Sequence, residues 1–389
     1  MKKSIVSLAC SFCAVLLSGG AAVAGTPPPG AKRITVELTN TLGAARAQES
    51  VRIDWKALTA KLDLTAQNAT VVDAKGNQVP SQVLYEGQTG PQGLLFQVDV
   101  PAKGKAEYFV VEGERRDYPA RAFGRYVPER LDDYAWENDR IAFRIYGPAL
   151  PDPLTPGIDI WVKSTDKLIV NKWYAKGDGK GGYHTNSGEG MDCFKVGATL
   201  GCGACAPLVD GKVVLGGNYA TWQTLDNGPL RTTVRLTYAP FEAGGTKVAL
   251  EKTISLDAGT HFNVTTNRYT GDFKKMPVAV GLVLHDTLVA DTSQGDSFIT
   301  VTEWASDSKD PKRDGNIFMA AIAPAKLAAM PQTADSHLAL VFDVAPGQTF
   351  TYLTGAGWSQ GGIADSRAWH DLTAAEAARL NSPIQVKLK

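Results

Sequence analysis

The distribution of apolar and polar residues along the chain predicts many short β-strands. Several runs alternate apolar and polar residues with a period of two, which places one set of side chains on each face of a strand. These runs lie at residues 33–39, 93–100, 140–146, 157–163, 231–238 and 248–256. Residues 277–284 are nearly all apolar, as in a central strand, and the one strong helix signal is at residues 373–380, where Thr373 and Glu376 have capping-box spacing. The chain is therefore predicted to be all-β.

The predicted strands fall into two groups, with a junction near residues 115–119. Residues 33–118 contain short strands and turns without a concentration of reactive side chains, so we expect a small N-terminal β-domain there. Residues 119–389 contain longer strands. We expect them to form a large antiparallel β-sandwich that carries the functional site.

Three predicted strands of the large domain carry cations and aromatic rings on the face opposite their aliphatic side chains. Rings among cations are typical of a concave sheet that stacks on sugars and binds their carboxylates. Cross-strand ion pairs would explain the charges equally well. The residues placed on this polar face are Arg140, Arg144 and Tyr146, then Asp159, Trp161 and Lys163, and finally Arg231 and Arg235.

The first 24 residues have the features of a cleavable signal peptide. Lys2 and Lys3 precede an apolar run at residues 5–17, and an A-x-A pattern ends at Ala24. Residues 25–32 read as a proline-rich leader. No later stretch approaches the ~20 apolar residues of a membrane helix. We therefore expect a periplasmic or secreted protein without a membrane anchor.

The positive and negative charges of the chain are balanced. Lys plus Arg and Asp plus Glu both number 40, so the net charge gives no reason to expect nucleic acid or an anionic membrane as partner. An oligosaccharide or polysaccharide is the partner that the aromatic and basic strand faces favour.

A glycine-rich segment at residues 172–205 concentrates the most reactive side chains. Glycine weakens both strands and helices, and a long loop crowded with polar groups is typical of a ligand or catalytic site. A loop that is only structural, pinned by a disulfide, is the alternative. The segment contains Lys172, Trp173, Tyr174, Tyr183, His184, Glu189, Asp192, Cys193, Cys202 and Cys205.

The three cysteines of this segment are the ones that remain after signal-peptide removal. In an oxidising compartment one disulfide and one free thiol are expected, with Cys193–Cys202 and Cys202–Cys205 both open. A zinc site of His184 with the three thiols is a further alternative, although the paired C-x-x-C spacing of structural zinc modules is missing.

Three motifs carry a resemblance to a known family. WENDRIAFRIYGP at residues 136–148, GEGMDCFKVG at 188–197 and DNGPLR at 226–231 resemble the exported bacterial family called domain of unknown function 4861. The resemblance implies β-sandwich proteins encoded beside pectin- and uronate-degrading enzymes. It also implies a large domain similar to the supersandwich of polysaccharide lyases, which is a galactose-mutarotase-like architecture. It assigns no catalytic role to any residue.

The side chains themselves favour a lyase that acts on uronic acid units. β-Elimination needs a cation or amide on the substrate carboxylate, a base for the neighbouring proton and an acid for the leaving oxygen. His184 is the predicted base and Tyr183 or Tyr174 the predicted acid, with Glu189 as a further catalytic candidate. The predicted substrate-binding residues are Arg144, Arg231, Arg235, Asn138, Glu137, Trp161, Lys172, Trp173 and Tyr146. This requires that the glycine-rich loop folds over the arginine-bearing face to form one pocket.

Three alternatives remain open. A glycoside hydrolase would use two carboxylates among Glu137, Glu189 and Asp192. No cofactor is certain, but a divalent ion such as calcium could bind His184, Glu189, Asp192 and His285. A periplasmic carbohydrate-binding protein would use the same aromatic and basic face without catalysis.

Overall fold

The computed structural model describes residues 32–151, 154–285, 291–308, 310–325 and 330–389. The predicted signal peptide and the predicted leader up to residue 31 lie outside the described residues. No helix within the described ranges has the length and apolar character to cross a membrane.

The N-terminal part of the chain forms two small antiparallel sheets around a core of its own. The strands β1, β6 and β3 are neighbours in one sheet, and β2, β5 and β4 are neighbours in the other. Apolar side chains of both sheets pack together, among them Val36, Val71 and Phe96. The elements are β1 (Arg33–Thr39), β2 (Arg46–Asp54), α1 (Trp55–Thr59), β3 (Ala69–Val72), β4 (Ser81–Leu84), β5 (Gly93–Val100) and β6 (Lys105–Glu112).

A five-stranded antiparallel sheet follows, in the order β11-β10-β9-β8-β7. One helix leaves this sheet after β10 and returns to it at β11. The elements are β7 (Ala122–Val127), β8 (Asp133–Asn138), β9 (Ala142–Ile145), β10 (Ile158–Lys163), α2 (Val170–Lys176) and β11 (Gly190–Asp192).

The remaining strands form a second five-stranded sheet, β13-β12-β19-β24-β23, and a nine-stranded sheet, β14-β15-β17-β18-β25-β22-β21-β20 with β16 on β17. The last strand, β26, pairs with β1 of the N-terminal part. The elements are β12 (Cys202–Val209), β13 (Lys212–Val213), β14 (Tyr219–Asn227), β15 (Arg231–Tyr238), β16 (Phe241–Ala243), β17 (Thr246–Asp257), β18 (Phe262–Gly271), β19 (Met276–Val283), β20 (Asp291–Gly295), β21 (Phe298–Trp304), α3 (Pro311–Asp314), β22 (Asn316–Ile322), β23 (Met330–Ala334), β24 (His337–Val344), β25 (Thr349–Trp358), α4 (Ser366–Asn381) and β26 (Gln385–Leu388).

The prediction of an all-β, antiparallel fold is confirmed, and the main predicted strands are present. The five-stranded sheet of β7–β11 and the nine-stranded sheet share one large core. Phe143, Ile145 and Ile160 contribute to it from the first sheet, and Val234 and Leu236 from the second. Residues that alternate with these on their strands therefore lie on the outer faces of the two sheets.

The outer face of the β7–β11 sheet is itself covered. Trp161 alternates with Ile160 and packs with Trp173 and Tyr174 of α2 and with Tyr183 of the following loop. The strand pattern predicted that this face carries polar and aromatic groups, but these groups are buried beneath α2 and the glycine-rich loop.

Two local predictions are wrong. Helix α4 begins at Ser366 rather than near Thr373, because the Asp365 side chain accepts a hydrogen bond from Ala368 N and caps the helix eight residues before the predicted cap. The expected disulfide is absent, since Cys193, Cys202 and Cys205 are buried free thiols. The Sγ of Cys202 contacts Gly355 O at 3.5 Å, and the Sγ of Cys205 contacts Asn267 Oδ1 at 3.3 Å.

Candidate functional site

Arg144 on β9 is the centre of a buried charge cluster, which we call the Arg144 cluster. Its Nη2 lies 2.5 Å from Asp159 Oδ2 on β10 and 2.8 Å from Asp192 Oδ2 on β11. Its Nη1 lies 3.8 Å from Asp133 Oδ2 on β8. Arg144 is paired in register with Asp159, and Trp161 with Asp192, so neighbouring strands present these groups on one face. One guanidinium thus serves three carboxylates.

Aromatic side chains enclose the guanidinium of Arg144. Its carbon lies 4.9 Å from the ring centroid of Tyr146, 5.2 Å from that of Trp161 and 5.7 Å from that of Tyr183. Tyr174 donates its hydroxyl to Asp133 Oδ2 at 3.2 Å. Cation–π contacts of this kind add to the ion pairs where water is excluded. Five residues predicted for the site therefore lie around Arg144. They are Tyr146, Trp161, Trp173, Tyr174 and Tyr183.

Glu137 holds α2 over this face. Its carboxylate accepts hydrogen bonds from Ile169 N at 2.8 Å and Val170 N at 2.7 Å, which are at the N-terminus of the helix. Lys163 Nζ donates to the same carboxylate at 2.9 Å, and both side chains are fully buried. The acceptors of Glu137 are thus used within the protein. Its predicted role in substrate binding is corrected to that of a group that positions α2.

Asn138 has a similar internal role. Its side-chain amide donates to Asp257 O at 2.5 Å and to Thr260 O at 2.7 Å. Its Oδ1 accepts from Arg140 N at 2.8 Å and from Ile141 N at 3.0 Å. These bonds fix the β8–β9 turn against the nine-stranded sheet and leave no free donor for a substrate carboxylate, so this assignment is also corrected.

The three carboxyl groups of the Arg144 cluster have raised pKa values. Burial is the largest cause in each case, and it outweighs the nearby guanidinium groups. The pKa of Asp133 is raised to about 6, that of Asp159 to about 7 and that of Asp192 to about 6. Asp192 also raises the pKa of Asp159 because like charges repel. The cluster therefore titrates closer to neutral pH than ordinary carboxyl groups do, which is common at functional sites.

Several buried polar atoms of this cluster have no hydrogen-bond partner. Asp133 Oδ1, Asp192 Oδ1 and the indole nitrogens of Trp161 and Trp173 are in this state. Such atoms are rare in folded proteins because each costs free energy. Acceptors and donors left unpaired in one place are a second sign of function, independent of the pKa shifts.

The site reaches the surface at His184, Arg130 and Tyr146. His184 Nδ1 lies 3.0 Å from Asp192 O and 3.6 Å from Asp192 Oδ2. Its side chain is 36% exposed, and within the described residues its Nε2 has no hydrogen-bond partner. Arg130 Nη1 lies 3.7 Å from Asp133 Oδ1, and its guanidinium carbon is 5.9 Å from the centroid of the Tyr146 ring. An imidazole and a guanidinium are thus accessible beside the cluster.

The remaining residues of the loop form its outer rim. Lys172 Nζ on α2 pairs with Glu189 Oε2 at the end of the loop, at 2.6 Å. Lys172 is 56% exposed and Glu189 is 24% exposed. This pair joins α2 to the start of β11 and lies at the surface.

Arg231 and Arg235 do not belong to the Arg144 cluster. They alternate on β15 with Val234 and Leu236, whose side chains face the large core. Arg144 also faces away from this core, on the opposite sheet, so the core separates the two sets of arginines. Arg231 forms a bidentate pair with Asp257 at 2.5 and 2.8 Å. The prediction of one pocket that contains His184, Arg231 and Arg235 is therefore wrong.

Comparison with known proteins gives the family but not the chemistry. The family model of domain of unknown function 4861 matches residues 38–386. This chain belongs to that family. The uncharacterized protein P7 of Formosa agariphila is 29% identical over 381 residues, which cover 91% of this chain and 93% of that protein.

Two solved structures from Enterococcus faecalis are distantly similar to the chain. An alpha-mannosidase has a TM-score of 0.48 at 11% identity, with 92% of this chain and 46% of that chain covered. A protein in glycosyl hydrolase family 38 has a TM-score of 0.49 at 10% identity, with 92% and 47% covered. The chain spans about half the length of each. Likeness at this level carries no conclusion about the activity of the family member described here.

The alternatives that involve a metal have no geometric support in the described ranges. No group of three or more His, Cys, Asp or Glu side chains in that part of the chain could hold a metal ion. His285, which was considered as a ligand beside His184, instead lies 2.7 Å from Glu303 Oε1 and 2.8 Å from Lys195 O. His184 and His285 therefore do not belong to one set of metal ligands.

Two of the three carboxylates and the partly buried guanidinium of Arg130 were not among the predicted site residues. Asp159 was placed on the polar strand face without a role in the site, and no prediction was made for Asp133 or Arg130. A signal for Asp133 and Asp159 exists, because each lies on the strand face opposite large-core residues, as Arg144 does. Arg130 lies in a short turn after β7, where no periodicity predicts the direction of a side chain.

Proposed function

We propose that this protein is a carbohydrate-active enzyme that cleaves uronic-acid-containing, pectin-like oligosaccharides by β-elimination. The observation that carries the proposal is the pairing of His184 with Asp192 at the accessible edge of the Arg144 cluster. A carboxylate or carbonyl on Nδ1 orients an imidazole and fixes which nitrogen is free, as in other His-dependent enzymes. Here Nδ1 faces Asp192, so the free nitrogen is Nε2 of a side chain that is 36% exposed.

Each step of the elimination can be assigned to a side chain. His184 Nε2 removes the proton from the carbon next to the substrate carboxylate. The bond from the adjacent carbon to the glycosidic oxygen breaks, a carbon–carbon double bond forms, and the leaving oxygen takes up a proton. Arg144 is already occupied by carboxylates, so the substrate carboxylate falls to Arg130, whose side chain is 22% exposed and lies 3.7 Å from Asp133.

Tyr183 is the proposed acid. Its ring centroid lies 4.7 Å from that of His184, and its hydroxyl is 3.4 Å from Arg144 Nη1. Burial raises the pKa of Tyr183, so the hydroxyl keeps its proton until the leaving oxygen accepts it. Tyr174 lies deeper and donates to Asp133, which makes it a positioning residue in this scheme.

The decisive test is the His184→Ala variant, assayed on pectic, alginate-like and glycosaminoglycan oligomers. We expect turnover to fall about 10²–10⁴-fold, the usual contribution of a general base. His370→Ala is the matched control, because His370 lies on α4 and contacts Ser293 of β20, outside the Arg144 cluster. This variant should retain full activity. Full activity of the His184→Ala protein on a substrate that the wild type cleaves would refute this mechanism.

Hydrolysis is the alternative reaction, and the structure gives it less support than elimination. Asp159 and Asp192 bind the same nitrogen of Arg144, but both carboxylates are buried and the guanidinium lies between them, so they do not flank an open site for a glycosidic bond. Ultraviolet absorbance and reducing ends, recorded together, separate the two reactions. Elimination raises both signals, whereas hydrolysis raises only the second. Binding of the oligomers with neither signal would indicate a carbohydrate-binding protein.

The proposal includes export. Residues 1–24 have the features of a signal peptide, and a substrate of polysaccharide origin is met outside the cytoplasm. Mass spectrometry of the protein from periplasmic and medium fractions should give an N-terminus near Gly25. A chain that retains Met1 in the cytoplasm would contradict export.

A further inference from the structure

A cavity lies on the outer face of the nine-stranded sheet, and none of its lining residues belongs to the Arg144 cluster. Its volume is about 710 Å³, within the range of ligand pockets. It is bounded by β2 of the N-terminal part, by the β17–β18 turn and by α4. Three arginines from three different elements line it: Arg140 of the β8–β9 turn, Arg231 of β15 and Arg379 of α4.

The three guanidinium groups retain unused hydrogen-bond donors. Arg140 is exposed, and its side chain forms no hydrogen bond or ion pair with any described residue. Arg231 uses Nε and Nη2 for Asp257, which leaves Nη1 without a partner in the described ranges. Arg379 uses only Nη1, for Glu376 at 3.4 Å.

The carboxylates of the cavity, by contrast, already accept hydrogen bonds. Glu49 accepts from Arg46 at 3.0 Å, and Asp99 accepts from Gln48 N at 2.9 Å. Asp257 and Glu376 are the partners of Arg231 and Arg379. Each of these carboxylates is thus bonded to a donor of the protein, whereas Arg140 has no partner among the described residues, and an anionic group is the ligand chemistry that satisfies the free cationic donors.

The rest of the lining limits the kind of anion. Four carboxylates offset three guanidinium groups, so the cavity has no excess positive charge to attract a long polyanion. Phe262, Val264 and Leu372 form an apolar wall, and the Val264 side chain is 41% exposed. An apolar wall suits the C–H face of a sugar ring, and the carboxylates can accept from its hydroxyl groups.

We propose that this cavity binds an acidic saccharide unit, with its single carboxylate or sulfate group held by Arg140 and the free donors of Arg231 and Arg379. The site shares its ligand class with the proposed function but does not depend on catalysis at His184. It would retain a polymer chain, or its product, at a distance from the cleavage site.

Histidine NMR can follow the two sites separately. The chain contains 5 histidines; His261 lines the cavity and His184 lies at the Arg144 cluster. Burial, with a smaller effect of Arg140, lowers the pKa of His261 to about 4, so at neutral pH its signal reports its surroundings and not its own titration. The probe is the methyl glycoside of galacturonic acid, which has no 4-linked leaving group. Methyl galactoside is the neutral counterpart, and galactose 6-sulfate distinguishes sulfate from carboxylate.

We expect the acidic probe, and not the neutral one, to shift the His261 signal in a saturable way. Arg140→Ala should weaken this binding about tenfold or more, the usual effect of losing a charge-assisted contact. Arg140→Lys should restore part of it. Arg268→Ala is the control, because Arg268 is exposed on β18 and pairs with Glu251 outside the cavity. His184→Ala should leave the His261 response unchanged.

Three outcomes would overturn the proposal. They are no change of the His261 signal on addition of the acidic probe, an equal change with the neutral probe, or unaltered affinity for the acidic probe in Arg140→Ala. A response of His184 alone would count against the cavity and would leave the proposed function intact. A response of His261 with full activity in His184→Ala would support the cavity and refute the proposed base.

Discussion

Arg140 and Arg144 are four residues apart on the same predicted strand face, yet their environments are opposite. Arg144 is fully buried among three carboxylates and three aromatic rings. Arg140 lies at the turn, exposed, without an ion pair to any described residue. Strand periodicity places both side chains on one face but does not show which of them another element will cover. Tyr183 and His184 of the loop at 177–189 lie beside the Arg144 cluster, whereas Arg140 lines an open cavity.

This difference separates two kinds of site. At the Arg144 cluster the guanidinium is taken up by carboxylates of the protein, and the accessible chemistry lies at its edge, at His184 and Arg130. At the cavity the cations keep free donors, so recognition of a ligand is favoured over acid–base chemistry. An arginine in a strand is thus informative about function only when its partners are known.

The largest expected effect is on stability, and it tests the comparison directly. Arg144→Met leaves three buried carboxylates without their main counter-charge, which we expect to lower the free energy of unfolding by about 3–5 kcal/mol at pH 8. Arg140→Met should change it by less than about 0.5 kcal/mol, since no interaction is lost. Urea unfolding of both variants measures the difference. Equal losses would show that the charge cluster is not what distinguishes the two arginines.

The pH dependence of stability sharpens the same comparison. The folded-state pKa values of Asp133, Asp159 and Asp192 are about 6, 7 and 6, above the ordinary value of 3.8. The folded protein therefore binds more protons than the unfolded chain between pH 4 and 7. Stability from these groups is complete below about pH 4 and is lost as the pH rises through 6 to 7, by up to roughly 1.4 kcal/mol per pH unit for each carboxyl.

Asp159→Asn should make this decline shallower, because one of the titrating groups is removed. Asp371→Asn is the control, since Asp371 is an exposed partner of Arg367 on α4. Unfolding free energies between pH 4 and 8 give the slopes. A slope that is unchanged in Asp159→Asn and altered in Asp371→Asn would place the responsible protons outside the Arg144 cluster.

Much of the fold could be predicted from the sequence. Strands such as β1, β5 and β15 were predicted with their observed bounds, because period-two alternation is a local property. The position of α2 over β9 and β10 could not be predicted from the sequence. It depends on hydrogen bonds that the Glu137 carboxylate accepts from the N-terminus of the helix. That contact joins residues more than 30 positions apart, which no local pattern encodes.

The candidate site was predicted in part. Tyr146, Trp161, Tyr183 and His184 meet because β9, β10 and the loop converge at Asp192, and their residue types suggested chemistry before any contact was known. Arg231 was placed in the same pocket because its strand has the same pattern as that of Arg144. Two sheets that share one core have two outer faces, and a one-dimensional pattern cannot distinguish them.

The smallest expected effect concerns the rim of the loop. Lys172 and Glu189 form a surface pair at 2.6 Å, so Glu189→Gln should change the free energy of unfolding by about 1 kcal/mol or less. If Glu189 acts only by holding the loop over the cluster, turnover should fall less than about tenfold, and Lys172→Gln should give the same loss. A loss in Glu189→Gln as large as that in His184→Ala, with Lys172→Gln unaffected, would instead make Glu189 the acid or base. Measurement of kcat and kcat/KM for the two variants shows whether Glu189 holds the loop in place or takes part in the reaction.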